Sequence, residues 1–295
     1  MSTAEVQDGI ELEYETFGDA AGDPLLLVMG LGAQMVAWDA AFCQRFADEG
    51  FFVVRYDNRD VGRSTKIESD EPLDVPGALV AAFTGGEVKA PYLVQDMADD
   101  AFGLLDALGI GSAHVVGASM GGMIVQAMAI SRPERLRSVT SIMSTTGDPA
   151  VGGASEEAMA LLVRPPAQSR EQYLEATVAA EQLLNGPTIP FDAERSRRRA
   201  EVQWDRGYYP VGVGRQLIAI LASGDRTEGL GSVAVPFLVI HGDADPLVGY
   251  TGGEATAKAV PGAELMTIEG MGHNLPVPAW DEIVPAVIAH ARKAA

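Results

Sequence analysis

The chain has 295 residues, 47% of them hydrophobic and 21% charged, and a formal net charge of −20. That composition suits a soluble globular protein with a sizeable core. The acidity repels nucleic acid and anionic membranes, so neither is expected as a partner. The single cysteine, Cys43, excludes an internal disulfide framework, and its helical context reads as core packing. The polar, acidic segment Met1 to Asp8 lacks the basic start and apolar run of a signal peptide. No apolar stretch reaches the length of a membrane span. A cytoplasmic location is therefore expected, and the oligomeric state is left open.

Ile10 to Phe17 alternates apolar and polar residues after the turn Asp8-Gly9, the pattern of a half-exposed strand. Leu25 to Met29, Phe51 to Tyr56 and His114 to Val116 are short continuous apolar runs. They fit strands buried on both faces of a mostly parallel sheet. Helical patterns lie between them, over Trp38 to Glu49 and Tyr92 to Leu108, the second stopped by Gly109. A helix over Gly121 to Ser131 and a strand over Arg137 to Met143 follow. From about Gly147 to Gly229 only helical patterns are visible, including Arg164-Pro165-Pro166 and the basic run Arg195 to Arg199. Strand and helix then alternate again: strand Pro236 to Ile240, helix Gly253 to Val260, strand Ala263 to Ile268 and helix Val277 to Lys293. The alternation points to α/β architecture. Residues 1–146 and 230–295 are expected to form one core, with 147–229 as a helical cap inserted into it.

Gly117-Ala118-Ser119-Met120-Gly121 has the pattern Gly-x-Ser-x-Gly. Alone the pattern is weak, but here it follows an apolar strand and opens a helix. A serine at such a junction sits on a sharp turn where the flanking backbone leaves no room for side chains. A serine hydroxyl becomes a useful nucleophile when a base takes its proton, and histidine is the usual base. Four histidines are available. His114 begins the strand leading to Ser119 and falls at its far end. His290 reads as a cation near a helix C-terminus. His241 ends a strand and reads as structural. His273 lies in the glycine-flanked loop Gly270-Met271-Gly272-His273-Asn274 after the last strand, at the sheet edge expected to carry Ser119, and is the candidate base. Its acidic partner is expected in His241-Gly242-Asp243-Ala244-Asp245-Pro246, which offers Asp243 and Asp245. Two backbone N–H groups should hold an oxyanion, that of Met120 and one from Met29-Gly30-Leu31-Gly32, with Leu31 the best placed.

These residues resemble the α/β-hydrolases over nearly the whole chain. Leu26-Leu27-Val28-Met29-Gly30, Arg55-Tyr56-Asp57-Asn58-Arg59-Asp60-Val61-Gly62-Arg63-Ser64 and Gly270-Met271-Gly272-His273 are similar to the branch holding aclacinomycin methylesterase, cofactor-free haloperoxidases and related esterases. The resemblance implies an eight-stranded, mostly parallel sheet flanked by helices, a helical cap over a Ser–Asp–His site, and neither metal nor organic cofactor. It assigns the acid to Asp245, with Asp243 in reserve. Met29 stands where many members carry histidine, and Asp60 where glycine is commoner in the wider family. Asp57, Arg59 and Asp60 read as a structural turn network.

The expected activity is hydrolysis of a carboxylic ester of a small to medium, moderately hydrophobic molecule through an acyl-enzyme, with water as second substrate. Perhydrolysis or lactone hydrolysis by the same residues is the nearest alternative, and a non-catalytic ligand-binding protein is the alternative of another class. The substrate pocket is expected between cap and core, bordered by Gly30 and Gly32 and by Trp38, Leu183, Leu184 and Trp204. For Trp38, packing of its helix on the sheet is the competing role. The Arg195 to Arg199 run reads as a solvated helix face offsetting nearby acids.

Overall fold

A computed structural model describes residues 1–7, 9–69 and 73–294; Asp8 of the expected Asp8-Gly9 turn lies outside the described residues. Eight strands form one sheet: β1 (Ser2–Glu5), β2 (Glu11–Phe17), β3 (Asp23–Val28), β4 (Phe51–Tyr56), β5 (Ala113–Ala118), β6 (Leu136–Ile142), β7 (Phe237–Gly242) and β8 (Glu264–Ile268). Their spatial order is β1-β2-β4-β3-β5-β6-β7-β8. The first two pairings, β1 with β2 and β2 with β4, are antiparallel, and all others are parallel. Every residue of β5 and β7 is buried, as expected for central strands covered on both faces. β1 was not anticipated: its four residues are mostly exposed and polar, and pairing with β2 is what makes them a strand.

The helices are α1 (Ala40–Ala47), α2 (Val75–Thr84), α3 (Val94–Ala107), α4 (Met120–Ser131), α5 (Glu156–Leu162), α6 (Arg170–Leu184), α7 (Ala193–Gly207), α8 (Pro210–Ser223), α9 (Thr227–Leu230), α10 (Thr251–Ala259) and α11 (Trp280–Lys293). One core layer packs α3 and α4 on the sheet through Phe102, Leu105, Ile124 and Met128; the other packs α1 and α11 through Phe42, Phe46, Ile283 and Val287. Cys43 is fully buried in the second layer, where burial pushes its thiol up to about 12. α5 to α9 all fall between β6 and β7. α2 was missed at the sequence level, although its punctuation was present. Asp74 caps it by accepting from the Gly77 N–H at 2.9 Å, a proline sits in its first turn, and left-handed Gly85 ends it.

The turn after β4 is a network of buried charge. Asp57 accepts from the Met35 N–H at 2.6 Å, the Arg63 N–H at 3.0 Å and the Arg206 guanidinium. Arg59 holds Asp100 through two bonds of 2.6 and 2.7 Å. Asp60 accepts from the Ile67 N–H and the Tyr92 hydroxyl, both at 2.8 Å. The sequence expectation of a turn network thus holds, and the structure extends it into α7.

His290 requires a correction. It is 4% exposed, and burial holds its imidazole below the usual histidine range, so it is a buried neutral ring and not a helix-end cation. α11 packs Val287, Ile288 and Ala291 into the core beside this ring, which removes the water a charge would need. His241 is also held low by burial, and His114, hydrogen-bonded to Ser138 at 2.8 Å, is held at about 4 by burial and then by Arg137. For each ring the unfolded chain binds a proton that the folded chain refuses. Their stabilising effect is therefore full above pH about 6.5 and is lost as pH falls toward their folded pKa values. Urea unfolding should show a midpoint that drops between pH 7 and pH 4.5. His114→Gln should flatten that drop, since this ring alone accounts for about 2 kcal/mol of it. A midpoint independent of pH would contradict the buried neutral state.

Candidate active site

Ser119 stands between β5 and α4 at the centre of the sheet's carboxyl edge, with φ 57° and ψ −121°. A left-handed φ on a serine costs about 1–3 kcal/mol and persists only where the surroundings enforce it. Here they do. A Cβ on Gly117 would overlap the Gly121 carbonyl, and a Cβ on Gly121 would overlap the Val28 carbonyl. The helix therefore starts hard against the strand before it, and the serine side chain is pushed out above the edge.

His273 Nε2 lies 2.9 Å from Ser119 Oγ, and its Nδ1 lies 2.7 Å from Asp245 Oδ2. An ionised carboxylate only accepts, so Nδ1 carries the imidazole proton and Nε2 is left to accept from the serine hydroxyl. Asp245 follows β7, and its other oxygen accepts the N–H groups of Leu247 and Val248, both at 2.9 Å. Asp243 faces away from the imidazole and accepts from the Gly270 N–H at 2.6 Å, bracing the loop that carries His273. His241 lies behind the acid. Its Nε2 donates to the Val248 carbonyl at 2.8 Å and sits 3.6 Å from Asp245 Oδ2.

The loop after β3 bends over the serine. A Cβ on Gly30 would come within 3.0 Å of the Ser119 Cβ. The Ala33 N–H is spent on the Gly30 carbonyl at 3.2 Å, and the Gly32 N–H on Gln216 at 2.8 Å. Among the described residues no hydrogen bond takes up the N–H of Leu31 or of Met120. Met29, despite replacing the commoner histidine, is buried, and its carbonyl is held by the Asn58 amide at 2.9 Å.

A cavity of about 620 Å³ opens over Ser119 and His273. Gly30, Leu31 and Gly32 form its floor with Ser119, while Leu161, Tyr173, Leu184, Tyr208 and Val213 close it from above. Leu184 also accepts the His273 N–H through its carbonyl at 2.6 Å. Three expected wall residues are placed elsewhere. Trp38 is fully buried and stacked on Phe42 at 5.5 Å, because the 3-10 turn Met35–Ala37 carries it under the loop into the α1/α11 layer. Leu183 is 38% exposed on the outer side of α6, one residue round from Leu184. Trp204 stands behind the wall, stacked on Tyr208 at 5.2 Å and 5.4 Å from Tyr173. The Arg195 to Arg199 run is paired throughout: Arg195 with Asp39, Arg197 with Glu171, Arg198 with Glu194 and Arg199 with Glu181. The sequence reading missed Leu73, Val75 and Pro76, which reach the cavity from the start of α2.

Residues 23–278 match the family model of the alpha/beta hydrolase fold, and the chain belongs to that family. It is 31% identical to rhodomycin D methylesterase DnrP of Streptomyces peucetius, over 97% of each chain. It is 24% identical to the bifunctional esterase/perhydrolase DCH of Acinetobacter calcoaceticus, over 99% of this chain and all of the other. Its fold is similar to the meta-cleavage product hydrolase of Pseudomonas fluorescens IP01, with a TM-score of 0.76 at 19% identity, covering 100% of this chain and 98% of that one. Among the described residues no cluster could hold a metal ion, and no helix is long and apolar enough to cross a membrane.

The elbow yields a test. Gly121→Ala should lower the melting temperature by several degrees, because backbone must shift to admit the methyl. A variant that melts with the parent would show that the close approach is not a constraint.

Proposed function

We propose that the chain is a carboxylic-ester hydrolase working through an acyl-enzyme on Ser119. The hydrogen-bonded line from Asp245 through His273 to Ser119 carries this reading, and the methylesterase relative supports it. Ser119 Oγ attacks the ester carbonyl while His273 Nε2 takes the hydroxyl proton. The N–H groups of Leu31 and Met120 stabilise the oxyanion, and Asp245 stabilises the imidazolium. The tetrahedral intermediate collapses, and His273 returns the proton to the departing alcohol. A water molecule, deprotonated by His273, then attacks the acyl-enzyme; the acyl–Oγ bond breaks, His273 returns the proton to Ser119 Oγ, and the acid is released. Residues 1–146 and 230–295 supply this chemistry as one core, and 147–229 act as the cap that encloses the acyl or alcohol group. The largely apolar cavity favours a moderately hydrophobic ester.

Hydrolysis of short p-nitrophenyl esters tests the assignment. Ser119→Ala should lower kcat by about 10⁴-fold or more, and Asp245→Asn by a few powers of ten, about 10⁴ in the best-studied case. Asp243→Asn should leave most of the activity. Wild-type turnover by Ser119→Ala would overturn the nucleophile. Loss of activity in Asp243→Asn with retention in Asp245→Asn would reassign the acid.

A further inference from the structure

Gln216 sits on α8, 184 residues from Gly32 and 157 from Arg59, yet its side-chain amide joins them. Its Oε1 accepts the Gly32 N–H at 2.8 Å, and its Nε2 donates to the Arg59 carbonyl at 2.7 Å. The side chain is fully buried. Gly32 itself adopts a left-handed φ of 66°, and Val213, one turn before Gln216, packs so closely that a Cβ on Gly32 would fall 2.9 Å from its Cγ2. The loop over the serine is therefore shaped from the helical insertion as well as from the strand it leaves.

The consequence lies in which N–H remains free. Three consecutive N–H groups follow Gly30 in this loop. Ala33 bonds back to Gly30, Gly32 bonds to Gln216, and Leu31 is left without an acceptor. Each peptide plane is rigid: the plane of the Gly30 carbonyl and the Leu31 N–H is held by Ala33, the plane of the Leu31 carbonyl and the Gly32 N–H is held by Gln216, and only the two dihedrals of Leu31 lie between them. The opposite end of the amide is fixed by Arg59, whose guanidinium is locked on Asp100. The amide thus has one orientation, with its oxygen toward the loop.

We infer that Gln216 is a positioning residue that aims the Leu31 N–H at the developing oxyanion, so that the inserted helices assemble the reaction centre in addition to enclosing substrate. The inference rests on the ester-hydrolase reading. Loss of the amide disorders a donor used mainly in the transition state, so kcat falls while substrate binding is largely kept.

Gln216→Met, similar in length but without the polar pair, is measured beside Ser119→Ala. The expected result is a kcat lower by about 10²-fold with KM within about threefold, the size of effect seen when one oxyanion donor is removed. The inhibition constant of an aryl boronic acid, which places an oxyanion at the same site, should rise by a matching factor. Packing damage alone would raise KM or lower the melting temperature without this parallel rise. If Gln216→Met does not fold, Gln216→Asn takes its place, because its shorter arm cannot span both partners and the same kcat loss is expected. A folded variant of either kind with kcat within about twofold of the parent, or a boronate constant that does not move, overturns the role of Gln216 while an inactive Ser119→Ala leaves the ester-hydrolase reading standing. Wild-type activity in Ser119→Ala overturns both.

Discussion

The contact on which the site depends is backbone against backbone, where the start of α4 rests on β5 and on the end of β3. Gly117 and Gly121 leave no side chain between these segments, and the Gly121 position abuts the Val28 carbonyl. That closeness forces Ser119 into a left-handed conformation and sends its hydroxyl above the sheet edge. It also brings the loop after β3 to within van der Waals reach of the same serine, through Gly30. One steric constraint thus sets both the hydroxyl and the surroundings of the N–H groups facing it.

Everything else at the site is arranged to meet that hydroxyl. β7 and β8 end at the same edge, so the loops after them bring Asp245 and His273 together from positions 28 residues apart. The loop carrying His273 is gripped from two sides, by Asp243 through the Gly270 N–H and by the end of α6 through the Leu184 carbonyl. The loop over Ser119 is gripped likewise, by Asn58 from the turn after β4 and by Gln216 from α8. Buried charge ties the two halves together. Arg206 of α7 reaches Asp57, Glu13 and Gln34, and Gln34 in turn holds the carbonyls of Gln203 and Gly207. Removing one member of such a buried network strands the others without partners.

The core was legible in the sequence because each element there carries a local signal. The apolar runs Leu25 to Met29 and Phe51 to Tyr56 have the length of buried strands, and Gly-x-Ser-x-Gly marks a strand–helix junction because such a run precedes it and a helical pattern follows. His273 stood out by its flanking glycines and its place after the last strand. The walls of the cavity were not legible. Trp38 was a candidate because it follows the loop over the serine, but the turn at Met35–Ala37 decides that it faces the core. Leu183 and Leu184 are neighbours on α6, and only the packing of that helix sends one to solvent and the other to the site. His290 misled for the same reason: its place near a helix end was readable, but its burial was not.

The sequence by itself determined every strand but β1, the turn at Ser119 and the order of serine, aspartate and histidine along the chain, because period, glycine placement and chain order are local or one-dimensional properties. The resemblance pointed to Asp245 as the partner of His273; the tertiary structure supplied the contact itself and alone decided which side chains line the cavity and how the inserted helices fasten the loops beneath them. Those outcomes turn on contacts between residues 28 to 184 positions apart. A buried amide such as that of Gln216 has no signature in the sequence, since its partners are backbone groups that every residue possesses.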